Sequence, residues 1–254
     1  MLTDMYCWLL NRERRPLPDT FDPWLDPART AVVCIDMHAG HLDTDDPECP
    51  CPAPRGVDKI AIHDEFHAAC RAIGIPIIMA QHWQRHGGID DVASRRRTGK
   101  ANWRWLYELY LPPNPAMDRH SWEGTRWVDL RVEHDPERDL YVRTKKRLSA
   151  FYPTDLEFLL RNLDVDTVVI TGAYTDCCDV STAFDAANRD FRVIVPRDVV
   201  AGFSEEAERA ALLIISLHAG LVVDSGPLLA EWYARTGTPL PDLVHCGTTE
   251  TAAA

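Results

Sequence analysis

Six short runs of apolar, largely β-branched residues recur along the chain, and the apolar positions between several of them fall at helical spacing. The first run, Thr30 to Met37, is continuous enough to be a strand buried on both faces. Ile62, Phe66, Ala69, Cys70 and Ile73 then mark one face of a helix over 57–73, with Gly74 as its stop. Ile75 to Ala80 reads as the second strand and Asp139 to Thr144 as the third. Thr154 caps a helix faced by Leu156, Leu159, Leu160 and Leu163, and Val165 to Thr171 is the fourth strand. Past Gly172 the run gives way to helical period from Val180, which predicts a helix after Cys178 running to about Asn188. Phe191 to Pro196 is the fifth strand. Ser204, with Glu205 and Glu206 behind it, opens a helix ending at Gly220, and Leu221 to Asp224 is the sixth strand, before a short final helix.

Buried strands alternating with helices predict an α/β fold: three layers, a doubly wound, six-stranded, mainly parallel sheet, and helices on both faces. One domain over 28–236 accommodates the pattern, with an N-terminal arm (1–27) and a C-terminal tail (237–254). In such sheets ligands bind beyond the carboxyl ends of the strands. Asp36 ends the first strand, Lys145 follows the third and Cys178 follows the fourth, so an acid, a base and a thiol are expected at one sheet edge. Cys178 also opens a helix, where unpaired N–H groups favour thiolate over thiol. Singly, each has an ordinary reading: Asp36 as a turn former, Lys145 as part of the run Lys145-Lys146-Arg147, Cys178 as a small core residue. Their convergence is what points to chemistry.

Composition narrows the partners. A chain of 254 residues with net charge −12 implies no broad basic surface, so neither nucleic acid nor an anionic membrane is an expected partner. Arg95-Arg96-Arg97, the one dense basic run, reads as a solvated loop. No stretch reaches spanning length and Met1 to Arg15 lacks a signal-peptide core, which predicts a cytoplasmic protein. The eight cysteines need not pair there. Cys34 and Cys70 fall in apolar segments, and Cys49-Pro50-Cys51 has neither the spacing nor the second pair of a zinc knuckle. No cofactor and no metal is expected.

Three segments together resemble the isochorismatase-like cysteine hydrolases, a family that includes nicotinamidases, N-carbamoylsarcosine amidohydrolase, and ureidoacrylate and biuret hydrolases. Val33-Cys34-Ile35-Asp36-Met37 is similar to the family's strand ending in the catalytic Asp. Lys145-Lys146-Arg147-Leu148-Ser149-Ala150-Phe151 resembles its Lys-x-Arg-x-Ser-Ala-Phe segment, and 171–183 its Gly-x-x-Thr-x-x-Cys-x-x-Ser-Thr-Ala signature. Aligning Thr175 and Ser181-Thr182-Ala183 selects Cys178 over Cys177 as nucleophile. The resemblance, over about 28–235, implies a catalytic triad of Asp36, Lys145 and Cys178. It also implies a cis peptide between Ala173 and Tyr174, an oxyanion hole from the backbone N–H groups of Tyr174 and Cys178, and a thioester intermediate. His38, His82, Trp83 and Tyr174 are the implied substrate-binding residues.

Departures from the pattern are informative. His38 stands where many members have Gln, and Asp179 follows the nucleophile where an apolar residue is common. Nicotinamidases bind a metal through Asp-x-His; here those positions are His82 and Gln84, which argues against a metal and against that activity. His86 remains a candidate pocket wall or a surface-loop residue. The long connections over 43–56 and 84–122, the latter with Trp103, Trp105, Tyr107, Tyr110 and Trp122, are expected as lids or subunit contacts. Trp8, Leu9, Leu10 and Trp24 resemble arms that wrap a neighbour, which predicts a homo-oligomer acting on a small molecule. The expectation is an amidohydrolase of the N-carbamoylsarcosine amidohydrolase-like branch, cleaving a carbamoyl, ureido, amide or hydrazide C–N bond. A vinyl-ether hydrolase, whose relatives use the Asp and lack the cysteine, and a non-catalytic or redox-responsive member are the alternatives.

Overall fold

The structure, a computed structural model, describes residues 5–90, 119 and 121–247. The six expected strands are β3 (Thr30–Ile35), β4 (Ile77–His82), β5 (Leu140–Lys145), β6 (Thr167–Ala173), β7 (Arg192–Pro196) and β9 (Leu221–Val223). They form one parallel sheet in the order β5-β4-β3-β6-β7-β9. The first strand of the sheet thus lies at its middle. The chain winds outward one way through β4 and β5, then the other way through β6, β7 and β9, so the winding reverses between β3 and β6. A crevice at that reversal is where doubly wound sheets bind ligands. A seventh, two-residue strand, β8 (Val200–Ala201), extends the pairing of β6 past Gly172. It is too short to have left a periodic signal.

Helices cover both faces. α1 (Ala39–Leu42) and α2 (Pro54–Val57) are single turns, and α3 (Ile60–Ala72) packs Phe66 and Cys70 with Val32, Cys34, Ile77 and Met79 in one core. α7 (Ser225–Thr236) joins that face through Leu228, Leu229 and Trp232. On the other face Val33, Ile35 and Ile170 meet α4 (Leu156–Asn162), α5 (Val180–Ala187) and α6 (Glu205–His218) through Leu156, Leu160, Ala183, Ala186, Leu212 and Ile215. Two of the expected boundaries hold, Gly74 taking φ +82 after α3 and Ser204 accepting from Ala207 N at 3.1 Å. The N-cap of α4 is instead Asp155, and Thr154, one residue earlier, accepts from Leu156 N at 3.2 Å. One expected start moves, α3 beginning at Ile60 rather than residue 57, while the helix after Cys178 begins at Val180 as its spacing implies.

The N-terminal segment was expected to reach for a neighbour. Within the chain it forms an antiparallel hairpin, β1 (Tyr6–Leu9) with β2 (Glu13–Pro16), packed beside β9. The Tyr6 hydroxyl and Trp8 Nε1 donate to Asp224 Oδ2 at 3.0 and 3.1 Å, and Arg197, paired with Asp224 Oδ1 at 3.3 Å, lies 3.9 Å over the Trp8 ring. Among the described residues no helix is long and apolar enough to cross a membrane. Arg95-Arg96-Arg97, Trp103, Trp105, Tyr107 and Tyr110 lie outside the described residues.

Candidate active site

Gly172 is what lets β3 and β6 converge. A Cβ there would sit 2.1 Å from the Ile35 carbonyl oxygen, and its φ of +128 suits glycine. One residue beyond Ile35, Asp36 turns off the sheet at φ +54, a region Asp tolerates better than most side chains. Its N–H donates to Ala80 O and its carbonyl accepts from His38 N, both at 2.9 Å, which holds the turn over the end of β4. The carboxylate is then fixed twice. Oδ1 accepts from His82 N at 2.5 Å, and Oδ2 accepts from Lys145 Nζ at 2.5 Å.

Lys145 is the last residue of β5, not one beyond it, and an irregularity between Ala80 and His82 brings His82 opposite it. Its ammonium lies 3.2 Å from Cys178 Sγ, so one cation touches both the acid and the thiol. Lys145 and Asp36 are each 1% exposed. Burial alone would raise the Asp36 carboxyl, but Lys145, with smaller pulls from His38 and His41, reverses that and leaves it below its ordinary value. Burial likewise pulls on the Lys145 ammonium, while Asp36 and Cys178 together raise it above the usual lysine range. Both groups are therefore charged at neutral pH.

Cys178 stands in a π-turn, Thr175–Asp179, between β6 and α5, rather than in the first turn of an α-helix. The turn closes through Asp179 N donating to Tyr174 O at 3.2 Å and follows the cis Ala173–Tyr174 peptide. Thr182 locks it from below: its Oγ1 donates to Cys178 O at 2.7 Å and accepts from Ala150 N at 3.0 Å. The Ser-Thr-Ala and Ser-Ala-Phe segments, distant in sequence, are thus one clamp. Sequence reasoning used Thr182 only to set the register; its bond to Ala150 spans 32 residues and left no local signal.

Cys177 Sγ lies 4.0 Å from Cys178 Sγ. The contact between the two thiols lowers Cys177 and raises Cys178, which holds its proton until a base takes it, with Lys145 3.2 Å away to receive the anion. Asp179 is fully buried, with neither carboxyl oxygen hydrogen-bonded among the described residues. Burial, then Asp36, pushes its carboxyl well above the usual range, so it is a neutral acid behind the turn and not a competing anion.

The expected substrate-binding residues are not equivalent. His82 keeps slight exposure beside Asp36. His38 has none; its ring stacks on His41 at 4.5 Å, and burial, then the neighbouring His41, lowers it to about 3, so it stays neutral. The Tyr174 hydroxyl reaches the carbonyl oxygens of Cys51 and Pro52 at 2.9 and 3.1 Å, and its ring meets His41 and Phe203 at 5.0 and 5.2 Å. Half-buried Trp83 donates its N–H to Lys145 O at 3.0 Å, under the Arg143 guanidinium. His41 and Phe203 were not anticipated, and neither carries a motif. His86 is exposed, its ring 4.8 Å from that of Trp122.

Gln84, at the position of the metal-binding His, is buried and its N–H donates to Ser121 O. Among the described residues no three His, Cys, Asp or Glu side chains are grouped to hold a metal ion. The donor set does not fit a metal centre.

Residues 30–226 match the isochorismatase domain. The chain belongs to the isochorismatase family. It is similar to the ureidoacrylate amidohydrolase RutB of Methylobacterium radiotolerans, 31% identical over 225 residues that cover 85% of this chain and 82% of that protein. The isochorismatase family protein PncA of Bacillus subtilis is 36% identical over 112 residues, 41% of this chain and 61% of that one. Among solved structures, the cysteine hydrolase from Pseudomonas syringae superposes with a TM-score of 0.69 at 23% identity, covering 82% of this chain and 94% of that one, a likeness of fold. The pyrazinamidase of Pyrococcus horikoshii, solved in complex with zinc, does so at 0.61 and 26% identity, covering 77% and 98%. This isochorismatase-family chain is thus a hydrolase with a mostly parallel central sheet, as its motifs implied.

Proposed function

We propose that this hydrolase is a cysteine-dependent amidohydrolase that cleaves a C–N bond of a small ureido, N-carbamoyl, amide or hydrazide substrate. The observation that carries the reading is the ammonium of Lys145, 2.5 Å from the Asp36 carboxylate and 3.2 Å from the Cys178 sulfur. A cation so placed keeps Asp36 ionised, ready to act as base, and stabilises the sulfur anion that forms as the Cys178 proton leaves. Asp36 accepts the Cys178 proton, and the thiolate attacks the substrate carbonyl carbon. The N–H groups of Tyr174 and Cys178 receive the developing oxyanion. Collapse breaks the C–N bond, and the leaving nitrogen takes the proton from Asp36. Asp36 then draws a proton from water, whose oxygen attacks the thioester and releases the acid and the free thiol. His82 N–H keeps the second carboxylate oxygen engaged throughout, so Asp36 presents one oxygen to the chemistry.

The similarity to a ureidoacrylate amidohydrolase favours a ureido or carbamoyl group. The test is ammonia and amine release from a panel of ureido acids, N-carbamoyl amino acids, biuret, aryl amides and hydrazides, with Cys178→Ala alongside. Turnover of one class that disappears in the variant is expected. Turnover surviving in Cys178→Ala overturns the thiolate mechanism.

A further inference from the structure

The proposed hydrolysis uses one of two adjacent thiols and leaves the other without a task. Cys177 is partly exposed, its sulfur 4.0 Å from that of Cys178 and on the same turn, while Ser181 Oγ donates to its carbonyl at 2.7 Å. Lys145, 3.2 Å from Cys178 Sγ, supplies the positive charge that stabilises that sulfur as an anion once its proton leaves, and thiolate character with access is what decides which cysteine an oxidant attacks. Among the other thiols, burial raises Cys7, Cys34, Cys49, Cys70 and Cys246, and half-buried Cys51 lies 3.7 Å from the Tyr174 hydroxyl. The chain therefore has one oxidant-reactive sulfur with a second within reach of it, and no comparable pair elsewhere among the described residues.

We propose that Cys177 and Cys178 form a hydroperoxide-responsive modification site in which Cys177 is the resolving thiol for the oxidised nucleophile. The proposal rests on the reading of Cys178 as the thiolate nucleophile. The Cys178 thiolate attacks the terminal oxygen of the peroxide, the O–O bond breaks, and a sulfenic acid forms as hydroxide (or alkoxide) leaves and takes a proton. Cys177 sulfur then attacks Cys178 sulfur, expelling the sulfenic oxygen as water with the Cys177 proton. With hydrogen peroxide the sum is two thiols oxidised to one disulfide and one peroxide reduced to two waters. Neighbouring Cα atoms are about 3.8 Å apart, below the usual span of about 4.4–6.8 Å for a disulfide, so the bond is strained and easily reduced. Labile disulfides of this sort are the reversible ones. Closing it blocks the nucleophile while sparing it the irreversible steps to sulfinic and sulfonic acid.

The experiment treats the full chain with dilute hydrogen peroxide, quenches with an alkylating agent, and reads the peptide spanning 171–189 by mass, with Cys177→Ala and Cys177→Ser treated alongside. In the native chain the peptide is expected to lose two hydrogens, escape alkylation, and recover both thiols on reduction. In both variants it is expected to gain two oxygens at Cys178, and reductant no longer restores the thiol. Native peptide carrying sulfinic Cys178 beside an alkylated Cys177 overturns the proposal, as does full recovery of either variant. The mass readout needs no substrate, so a silent amide panel overturns the hydrolytic reading and leaves this result to stand by itself. Where turnover is measurable, oxidation abolishes it, and dithiothreitol restores it in the native chain only.

Discussion

Replacing Lys145 by Met leaves the Asp36 carboxylate buried without its cation. Both side chains are 1% exposed and the Nζ–Oδ2 contact is 2.5 Å, so the anion has no route to water. Breaking a buried pair from one side costs about 3–5 kcal/mol, because the partner's desolvation is no longer offset. The His82 N–H still holds Oδ1, which places the expected loss near the lower end, about 3 kcal/mol. For a chain of this size that is a fall in Tm of about 6–12 °C. Asp36→Asn in the same background removes the anion, and Asn suits the φ of +54 at that position. The double variant is expected within about 1.5 kcal/mol of the native chain, since replacing a whole buried pair is often neutral.

The pH dependence has a definite sign. In the native chain the depressed Asp36 contributes stability that is present above its unfolded pKa and lost as pH falls through its folded value. Without Lys145 burial dominates, the folded pKa rises above the unfolded one, and Lys145→Met loses stability as pH rises instead. Urea melts at pH 5 and pH 8 on the four members of the cycle measure this. A Lys145→Met chain within about 1 kcal/mol of native at pH 8, or single-variant costs that simply add in the double, would refute the argument that the pair is a coupled buried charge.

Three further outcomes are expected. Thr182→Val severs the bonds to Cys178 O and from Ala150 N, costing about 1–3 kcal/mol in urea melts and lowering kcat more than KM by loosening the nucleophile's turn; unchanged kinetics would count against the clamp. Asp179→Val replaces a buried carboxyl whose oxygens find no partner among the described residues, and stabilises by about 1–3 kcal/mol. That gain grows with pH, because the raised folded pKa makes the native Asp179 lose stability as pH rises; a variant less stable than native at pH 8 refutes it. Asp198, held by Ser225 N and Oγ, is pushed by burial up to about 6 from 3.8, worth about 3 kcal/mol that is present below pH 4 and gone above pH 6. Asp198→Asn removes that slope, and parallel melts from pH 4 to 7 in the two chains would show that Asp198 does not titrate as described.

How much of this the sequence disclosed follows the range over which each interaction acts. β3, β4, β6 and β7 are β-branched runs buried on both faces, and such runs announce themselves locally. Asp36, Lys145 and Cys178 were legible because each ends a run or sits in a motif, and the arrangement in space follows once the strands are parallel. The order of the strands was not legible, since nothing in β5 says that β4 will separate it from β3. Nor was the hairpin: Tyr6 and Trp8 find their partner Asp224 more than 200 residues away. The π-turn differs from an α-helical first turn by one residue of hydrogen-bond register, below what apolar spacing resolves. Asp179 was noted as an anomaly, but only its burial reveals it as neutral. His38 and His41 stack because α1 turns them together, a four-residue element without a period of its own.

The placement of Lys145 has a mechanical meaning as well. Among the described residues β5 is the outermost strand on its side of the sheet, and edge strands open more readily than central ones. The Lys145 cation is therefore mounted on the edge strand, with β4 between it and the acid it grips. The Lys145–Asp36 ion pair adds a side-chain tie between the edge strand and β3 to the backbone ladders of β4. One contact thus serves two ends, since the ion pair that sets the charge state of the candidate site is also a fastener of the sheet's edge.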